Sequence, residues 1–131
     1  MSDGWSSKKA FKLAGIKPSK IDIAEIHDAF TPFEIIGCED VGFFEPGTGW
    51  KNILKGETEI TGTLPVNPSG GLKARGHPVG ASGLAQIIEI VWQLRGDAGA
   101  RQVNNRLRYG LTQSVGGLRT SNIVTILEKT P

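Results

Sequence analysis

The chain has little cysteine, no long apolar segment and almost no excess of charge, and each shortage excludes a class of protein. Its single cysteine, Cys38, excludes an internal disulfide and a cysteine-based zinc site and favours a reducing compartment. The 15 Lys and Arg residues nearly balance the 13 Asp and Glu residues and are scattered, which argues against a nucleic-acid partner. No apolar run is long enough for a signal-peptide core or a membrane span, so we expect a cytoplasmic protein without membrane contact.

The 131 residues, 38% of them apolar, suffice for one compact domain over residues 1–131. Apolar periodicity, caps and glycines predict helix, strand, helix, long loop, helix, strand and strand in turn. The predicted ranges are a helix ending at Gly15, a strand over 21–26, a helix over 32–41, a loop over 43–76 with a helical turn near 51–55, a helix from Pro78 to Gly96, and strands over 109–115 and 123–127. This alternation predicts an α/β layered domain with helices covering a sheet.

The glycine-rich segment Gly76-His-Pro-Val-Gly-Ala-Ser-Gly83 lies at the predicted start of the last helix. A histidine there would lie beside the positive end of the helix dipole, which disfavours the imidazolium. His77 would then be a neutral imidazole, available as a base or hydrogen-bond donor. The alternative is a capping histidine without a catalytic role.

A second histidine lies in His27-Asp-Ala-Phe30, directly after the first predicted strand. Ligands of α/β domains usually bind at the carboxyl ends of strands. His27 and His77 could therefore jointly donate hydrogen bonds to a developing oxyanion. The alternative is a buried structural histidine bonded to the backbone.

A third motif, Gln113-Ser-Val-Gly-Gly117, carries a strand into a double glycine whose backbone N–H groups could face a reacting carbonyl. An ordinary hairpin turn explains the same residues. Lys51, Lys73 and Arg75, in the glycine-rich region, are interpreted as solvated surface charges, with contact to phosphates as the alternative.

In this order and spacing, the three motifs resemble the C-terminal domain of the thiolase superfamily over about residues 7–127. The His-Asp-x-Phe form is similar to that of sterol-carrier-protein-2-type and archaeal thiolases. The resemblance implies that His77 activates a nucleophilic cysteine and helps to form a first oxyanion hole, in which His27 is the second donor. It implies that the backbone N–H of Gly116 serves a second oxyanion hole. It also implies helices on a mixed sheet, a coenzyme A thioester as substrate, and no bound cofactor or metal.

The sequence departs from the family pattern in three ways. Thiolases take their acyl-accepting cysteine from an N-terminal half, which this chain lacks. The usual positions of a second cysteine hold Ala29 and Ser114, and a hydroxyl is a much weaker base than a thiolate. Cys38 falls within a predicted helix and is interpreted as a small buried apolar residue. Family topology also starts with a central strand before the first helix, so we expect the sheet to lack its central strand. Either the chain is a natural small subunit whose central strand a partner contributes, or it is a fragment of a longer thiolase.

These observations predict the histidine-bearing half of an acyl-CoA thiolase of lipid metabolism, inactive alone. We expect it to pair with a thiolase N-terminal half or a larger thiolase-like chain in an oligomer, and an OB-fold acyl-CoA-binding protein is a further candidate partner. The alternatives are a retro-aldol acyl-CoA lyase subunit, a non-catalytic binding or assembly module, and a ketosynthase relative. The residue pattern Gly-His-Pro-x-Gly-x-Ser-Gly at 76–83 favours a thiolase over a ketosynthase.

Overall fold

The order of the helices and strands along the chain follows the sequence prediction, with one additional short helix. A computed structural model describes residues 4–103, 106–117 and 120–130. Its elements are α1 (Trp5–Ala14), β1 (Ile23–Ile26), α2 (Thr31–Asp40), α3 (Gly49–Leu54), α4 (Gly71–Arg75), α5 (Ser82–Arg95), β2 (Tyr109–Gly116) and β3 (Ser121–Glu128). The predicted α/β class is confirmed. The helical turn expected near residues 51–55 is α3, whereas α4 was not predicted.

The three strands form one mixed sheet in the order β1-β2-β3. β1 pairs with β2 in parallel, from Ile23 opposite Gly110 to Ile26 opposite Gln113, and β2 pairs with β3 in antiparallel orientation. No strand precedes α1 among the described residues, as expected, but no gap is left at the centre of the sheet. A central gap would separate β1 from β2, but these two strands are hydrogen-bonded neighbours with a continuous register.

The other side of β1 is paired by part of the long loop. The backbone N–H of Ala24 donates to Pro65 O at 3.0 Å, and the N–H of Asn67 donates to Ala24 O at 2.8 Å. Asn67 adopts a positive φ of 53°, which asparagine tolerates better than most residues. Its Oδ1 then accepts the N–H of Ile26 at 2.8 Å. The backbone of β1 is thus satisfied on both sides.

Side chains that alternate along the strands enter two separate cores, one on each face of the sheet. The face covered by α1 and α2 includes Phe11, Ala24, Ile26, Cys38 and Leu111. The face covered by α5 includes Ile23, Ile90, Leu94, Val103 and Leu107. Gly110 faces α5, where a side chain on it would collide with Ile90. The arrangement is three-layered, with the carboxyl ends of β1 and β2 at one edge.

The polarity of α5 is reversed relative to an ordinary surface helix. Its face toward the sheet buries polar residues at Gln86, Glu89 and Gln93, beside the apolar Ile90 and Leu94. Its outer face exposes a stripe at i, i+4 and i+8, namely Leu84 (60% exposed), Ile88 (38%) and Trp92 (43%). Arg101 Cζ lies 5.9 Å from the Trp92 ring centroid, and all three side chains of this α5 stripe are exposed. No helix within the described ranges is long and apolar enough to cross a bilayer.

Candidate functional site

The two histidines lie together at one end of the sheet. His27 directly follows β1, and His77 follows α4 by two residues. Their ring centroids are 5.0 Å apart and the ring planes are nearly perpendicular, at 82°. The predicted proximity of His27 and His77 is confirmed. Their chemical roles stay predictions.

The predicted position of His77 at the first turn of a helix is wrong. The segment from Pro78 to Ala81 forms a turn, in which Pro78 O accepts the N–H groups of Ala81 at 2.8 Å and Ser82 at 2.9 Å. Helix α5 begins only at Ser82, five residues after the histidine. The expected effect of the helix dipole on the imidazole therefore has no support in the geometry, since such effects fade beyond the first turn.

A serine side chain holds His77 instead. Ser82 Oγ lies 2.7 Å from Nδ1 of His77 and 3.1 Å from Pro78 O. Ser82 is 1% exposed, so its hydroxyl has a fixed environment, whereas His77 itself is exposed. The imidazole is thus anchored through Nδ1 on a side chain that is open to solvent. Sequence reasoning included Ser82 in the motif without assigning it a contact.

His27 is buried, and its surroundings disfavour the charged imidazolium form. Burial lowers the pKa of His27 below its ordinary value of 6.5, and the adjacent His77 lowers it further. The neighbouring carboxylate of Asp28 opposes these effects without reversing them. Nδ1 of His27 is buried without a hydrogen-bond partner among the described residues. A neutral imidazole in this position can donate from only one ring nitrogen.

Asp28 fixes the end of β1 to the segment that leads to His77. Its Oδ1 accepts the backbone N–H of Leu72, at the start of α4, at 2.7 Å. Gly71 makes this approach possible, because a side chain there would collide with the Asp28 carboxylate. Oδ2 of Asp28 has Lys73 Nζ at 4.0 Å, and Lys73 also pairs with Glu34 at 3.3 Å. Asp28 is therefore part of the scaffold that brings the two histidine segments together.

A second connection joins the same segments. Glu25 lies two residues before His27 on the same side of the strand, and Arg75 lies two residues before His77. The fully buried Glu25 carboxylate accepts bonds from Ser69 Oγ at 2.8 Å and Ser69 N at 3.2 Å. Arg75 Nη1 donates to Ser69 Oγ at 2.9 Å and lies 3.5 Å from Glu25 Oε2. The interpretation of Arg75 as a solvated surface charge is therefore wrong.

Desolvation dominates the electrostatics of this connection. Burial raises the pKa of Glu25 from 4.5 to about 7, although the bonds from Ser69 and the charge of Arg75 both act to lower it. The ion pair is thus too weak to offset the cost of burying the carboxylate. Glu25 was not singled out from the sequence, and Asp28 was included in the His27 motif without an assigned contact. The sequence signal for Glu25 was an acidic residue two positions before His27 in an otherwise apolar strand.

The third motif ends at the β2–β3 hairpin, which confirms the turn interpretation without excluding a chemical role. Ser114 reaches the first turn of α5, where a Cβ on Gly83 would lie 2.9 Å from Ser114 Oγ. Gly116 is exposed at the end of β2 and pairs with Ser121 across the hairpin. Its role in an oxyanion hole stays a prediction.

Cys38 is inert by position. It is fully buried on α2 within the core that includes Ile26 and Leu111. Burial raises the pKa of its thiol to about 12, and the carboxylates of Glu34 and Glu39 contribute to the rise. A thiol in this state supplies no thiolate near neutral pH. The interpretation of Cys38 as a small buried apolar residue is confirmed.

Comparisons with known proteins identify a family, related sequences and a similar solved structure. The family model described as "Thiolase C-terminal domain-like" matches residues 4–129. An acetyl-CoA acetyltransferase of Methanothermobacter thermautotrophicus is 48% identical over 95% of this chain and 32% of that protein. Sterol carrier protein 2 of Bos taurus is 44% identical over 75% of this chain and 18% of that protein. The solved structure of an Ltp2-ChsH2(DUF35) aldolase has a TM-score of 0.80 at 29% identity, covering 96% of this chain and 31% of that one. The chain spans about a third or less of the length of these relatives.

Proposed function

The chain belongs to the thiolase C-terminal domain-like family, and we propose that it is the histidine-bearing half of an acyl-CoA thiolase. In this role it takes part in Claisen condensation or thiolysis of 3-ketoacyl-CoA. The observation that carries the proposal is the pair of imidazoles, 5.0 Å apart, at the end of the sheet. Relatives named acetyl-CoA acetyltransferase support the substrate class.

The two imidazoles have environments that suit different tasks. His77 is exposed and held through Nδ1, so it can take the proton of a thiol that approaches from outside the chain. His27 is buried and its lowered pKa keeps the ring neutral near pH 7, so it can donate a hydrogen bond to a developing oxyanion. Gly116 N–H is the candidate donor for a second oxyanion.

The nucleophilic thiol has to come from another polypeptide segment. Cys38, the only cysteine in the sequence, is buried and protonated. The α5 stripe of Leu84, Ile88 and Trp92 is an apolar surface on the helix that follows the His77 turn. A chain that covers the stripe would therefore also be near the histidines. We propose that this chain is a thiolase N-terminal half or a larger thiolase-like chain, in a cytoplasmic oligomer. An OB-fold acyl-CoA-binding protein is a further candidate partner.

A second candidate function is retro-aldol cleavage of an acyl-CoA side chain. Two observations favour it. Ala29 and Ser114 stand where thiolases carry the second cysteine, and one similar solved structure is that of an aldolase. This chemistry can dispense with the second thiol. It would use the same pair of histidines.

Reconstitution with a partner tests both functions. We expect the isolated chain to show no thiolysis of 3-ketoacyl-CoA, and co-expression with a thiolase N-terminal half to restore it. In the assembled protein, His77→Ala should lower kcat about 10²–10⁴-fold as a lost general base. His27→Ala should lower kcat about 10²–10³-fold as a lost oxyanion donor.

Cys38→Ala is the matched control and should leave the specific activity unchanged. Turnover by the isolated chain would contradict the proposal. Cleavage of a 3-hydroxyacyl-CoA without thiolysis would select the retro-aldol function. An assembled complex that binds acyl-CoA but catalyses neither reaction would leave only the binding or assembly role.

A further inference from the structure

Strand β3 forms an open edge of the sheet. The strand order is β1-β2-β3, and no strand among the described residues pairs with the far side of β3. The opposite edge is covered, because the long loop bonds to β1 through Pro65 O and the N–H of Asn67. In the described part of the chain, β3 is therefore the edge that remains available to a further strand.

The hydrogen-bond pattern shows which residues of β3 face outward. The N–H of Lys129 donates to Arg108 O at 2.8 Å, in the register that pairs β2 with β3. Because hydrogen-bonded and non-hydrogen-bonded pairs alternate in an antiparallel ladder, the odd-numbered residues of β3 bond to β2. The even-numbered residues direct their N–H and C=O groups outward, and these are Asn122, Val124, Ile126 and Glu128.

β3 has few of the features that protect natural edge strands from association. It is eight residues long, pairs with β2 without a bulge, and contains no proline or lysine. Its one charged side chain, Glu128, accepts from Arg108 at 2.9 Å and from Tyr109 at 3.0 Å. Ile123 is 62% exposed, which leaves apolar surface beside the open edge. An edge of this kind is a template for another strand.

We propose that the β3 edge pairs with β3 of a second copy of this chain, in antiparallel orientation about a twofold axis at Thr125. In this register every outward-facing residue of the strand has a hydrogen-bonding partner. Val124 lies opposite Ile126 of the other copy. Asn122 lies opposite Glu128. Registers centred on Val124 or Ile126 would leave one end of the strand unpaired.

The same register matches the side chains on both faces of the joined sheet. On the α5 face, Ile123 lies opposite Leu127 of the other copy, and Thr125 lies opposite its own counterpart. On the other face, Val124 and Ile126 lie opposite each other. Apolar side chains thus oppose apolar ones, and the exposed Ile123 is covered. This self-complementarity is the reason for choosing a second copy as the partner.

Assembly should stop at two copies. After pairing, both outer strands of the joined sheet are β1, whose edge the long loop covers. A contact made through one pair of strands buries less surface than a standard interface, so we expect a dimer that dissociates on dilution. The pairing uses neither histidine, so the inference does not depend on the proposed catalytic function.

Disulfide crosslinking of the 131-residue chain tests the pairing and its register. Thr125→Cys places two thiols opposite each other in a non-hydrogen-bonded pair, with about 4.5 Å between Cα atoms, which permits a disulfide. Ile123→Cys is the matched control, because its counterpart in the other copy lies about 13 Å away along the strand. Cys38 is buried and does not interfere.

We expect the covalent dimer to form at least about tenfold faster from Thr125→Cys, because only its thiols meet within bonding reach. Random collisions would give the opposite order, since Ile123 is exposed and Thr125 is half-buried. Crosslinking that favours Ile123→Cys would therefore overturn the inference.

Sedimentation equilibrium of the same chain separates the β3 edge from its other surfaces. The unsubstituted chain should approach twice its monomer mass of 14.0 kDa as its concentration rises. Ile123→Lys places a charge beside the edge, as natural edge strands do, and should keep the chain monomeric. Ile88→Lys, on the exposed α5 stripe, is the control and should leave dimerisation unchanged.

Three results of the sedimentation experiment would refute self-pairing through β3. The first is an unsubstituted chain that stays monomeric up to its solubility limit. The second is a dimer that Ile88→Lys abolishes and Ile123→Lys does not, which would assign the contact to α5. The third is a monomeric chain whose binding to a thiolase N-terminal half is weakened by Ile123→Lys, which would assign the edge to that partner.

Discussion

Replacing Glu25 with glutamine should change how the stability of the chain depends on pH. Glu25 is a buried carboxyl on β1 whose pKa burial raises from 4.5 to about 7. Glutamine has nearly the same shape and can still accept from Ser69. The substitution therefore removes the titration while it preserves most of the packing.

The pKa shift fixes the sign and size of the effect. Below about pH 4.5 the carboxyl is protonated in both folded and unfolded chains, so it imposes no charge-burial cost. Between 4.5 and about 7 the folded state binds more protons, and stability falls as the pH rises. Above about 7 the loss is complete. At about 1.4 kcal/mol per pKa unit, this shift corresponds to a loss of about 3 kcal/mol.

Urea unfolding of the unsubstituted chain and of Glu25→Gln, from about pH 5 to about pH 8, measures the difference directly. We expect the unsubstituted chain to lose about 2–3 kcal/mol relative to Glu25→Gln over this range, because other titrating groups cancel in the comparison. Glu45→Gln, at an exposed position, is the matched control and should show no such trend. A flat difference for Glu25→Gln would show that the Arg75 ion pair offsets the burial cost, contrary to our reasoning.

Two further predictions concern the same scaffold. Because burial lowers the pKa of His27, acidification below about pH 6.5 should destabilise the chain, with the loss complete below the folded-state pKa. His27→Asn should remove this loss in acid titrations of stability, and parallel losses in the two chains would refute the assignment. Gly71→Ala should cost about 2–4 kcal/mol, because a Cβ there meets the Asp28 carboxylate at a positive φ of 66°. Gly47→Ala, also at positive φ but with open space, should cost only about 1–2 kcal/mol in the same thermal or urea unfolding, and equal costs would count against the collision.

The sequence predicted the elements well where a local signal was strong. The helix stopped by Gly15, the helix that starts with Thr31-Pro32, and the hairpin strands all appear in the structure. Local patterns were less informative over residues 43–76. The bridge of Val66 to Ala24 there depends on a pairing partner about 40 residues away. The start of α5 was also misplaced, because Pro78 is acceptable both in a first helical turn and in the turn that precedes the helix.

The candidate site shows the same division. Motif order identified His27 and His77, and the positions of His27 after a strand and of His77 at the predicted start of a helix predicted that they meet. The residues that hold them there, including Asp28, Ser82 and Arg75, form contacts across the fold or across a turn, which no spacing rule encodes. Arg75 is an example, because the sequence predicts that a lone arginine in a glycine-rich segment is exposed. Its buried partner is known only from the structure.

By itself, the sequence determined the α/β class, the two histidine motifs and the absence of any cysteine other than Cys38. These follow from residue type, periodicity and short-range capping, which are local properties. Only the tertiary structure decided that β1 and β2 are direct neighbours and that burial raises the pKa of Glu25 to about 7. It also decided that the apolar stripe of α5 lies on the face away from the sheet. Those properties depend on which segments exclude water from one another, and desolvation is set by the whole packed chain.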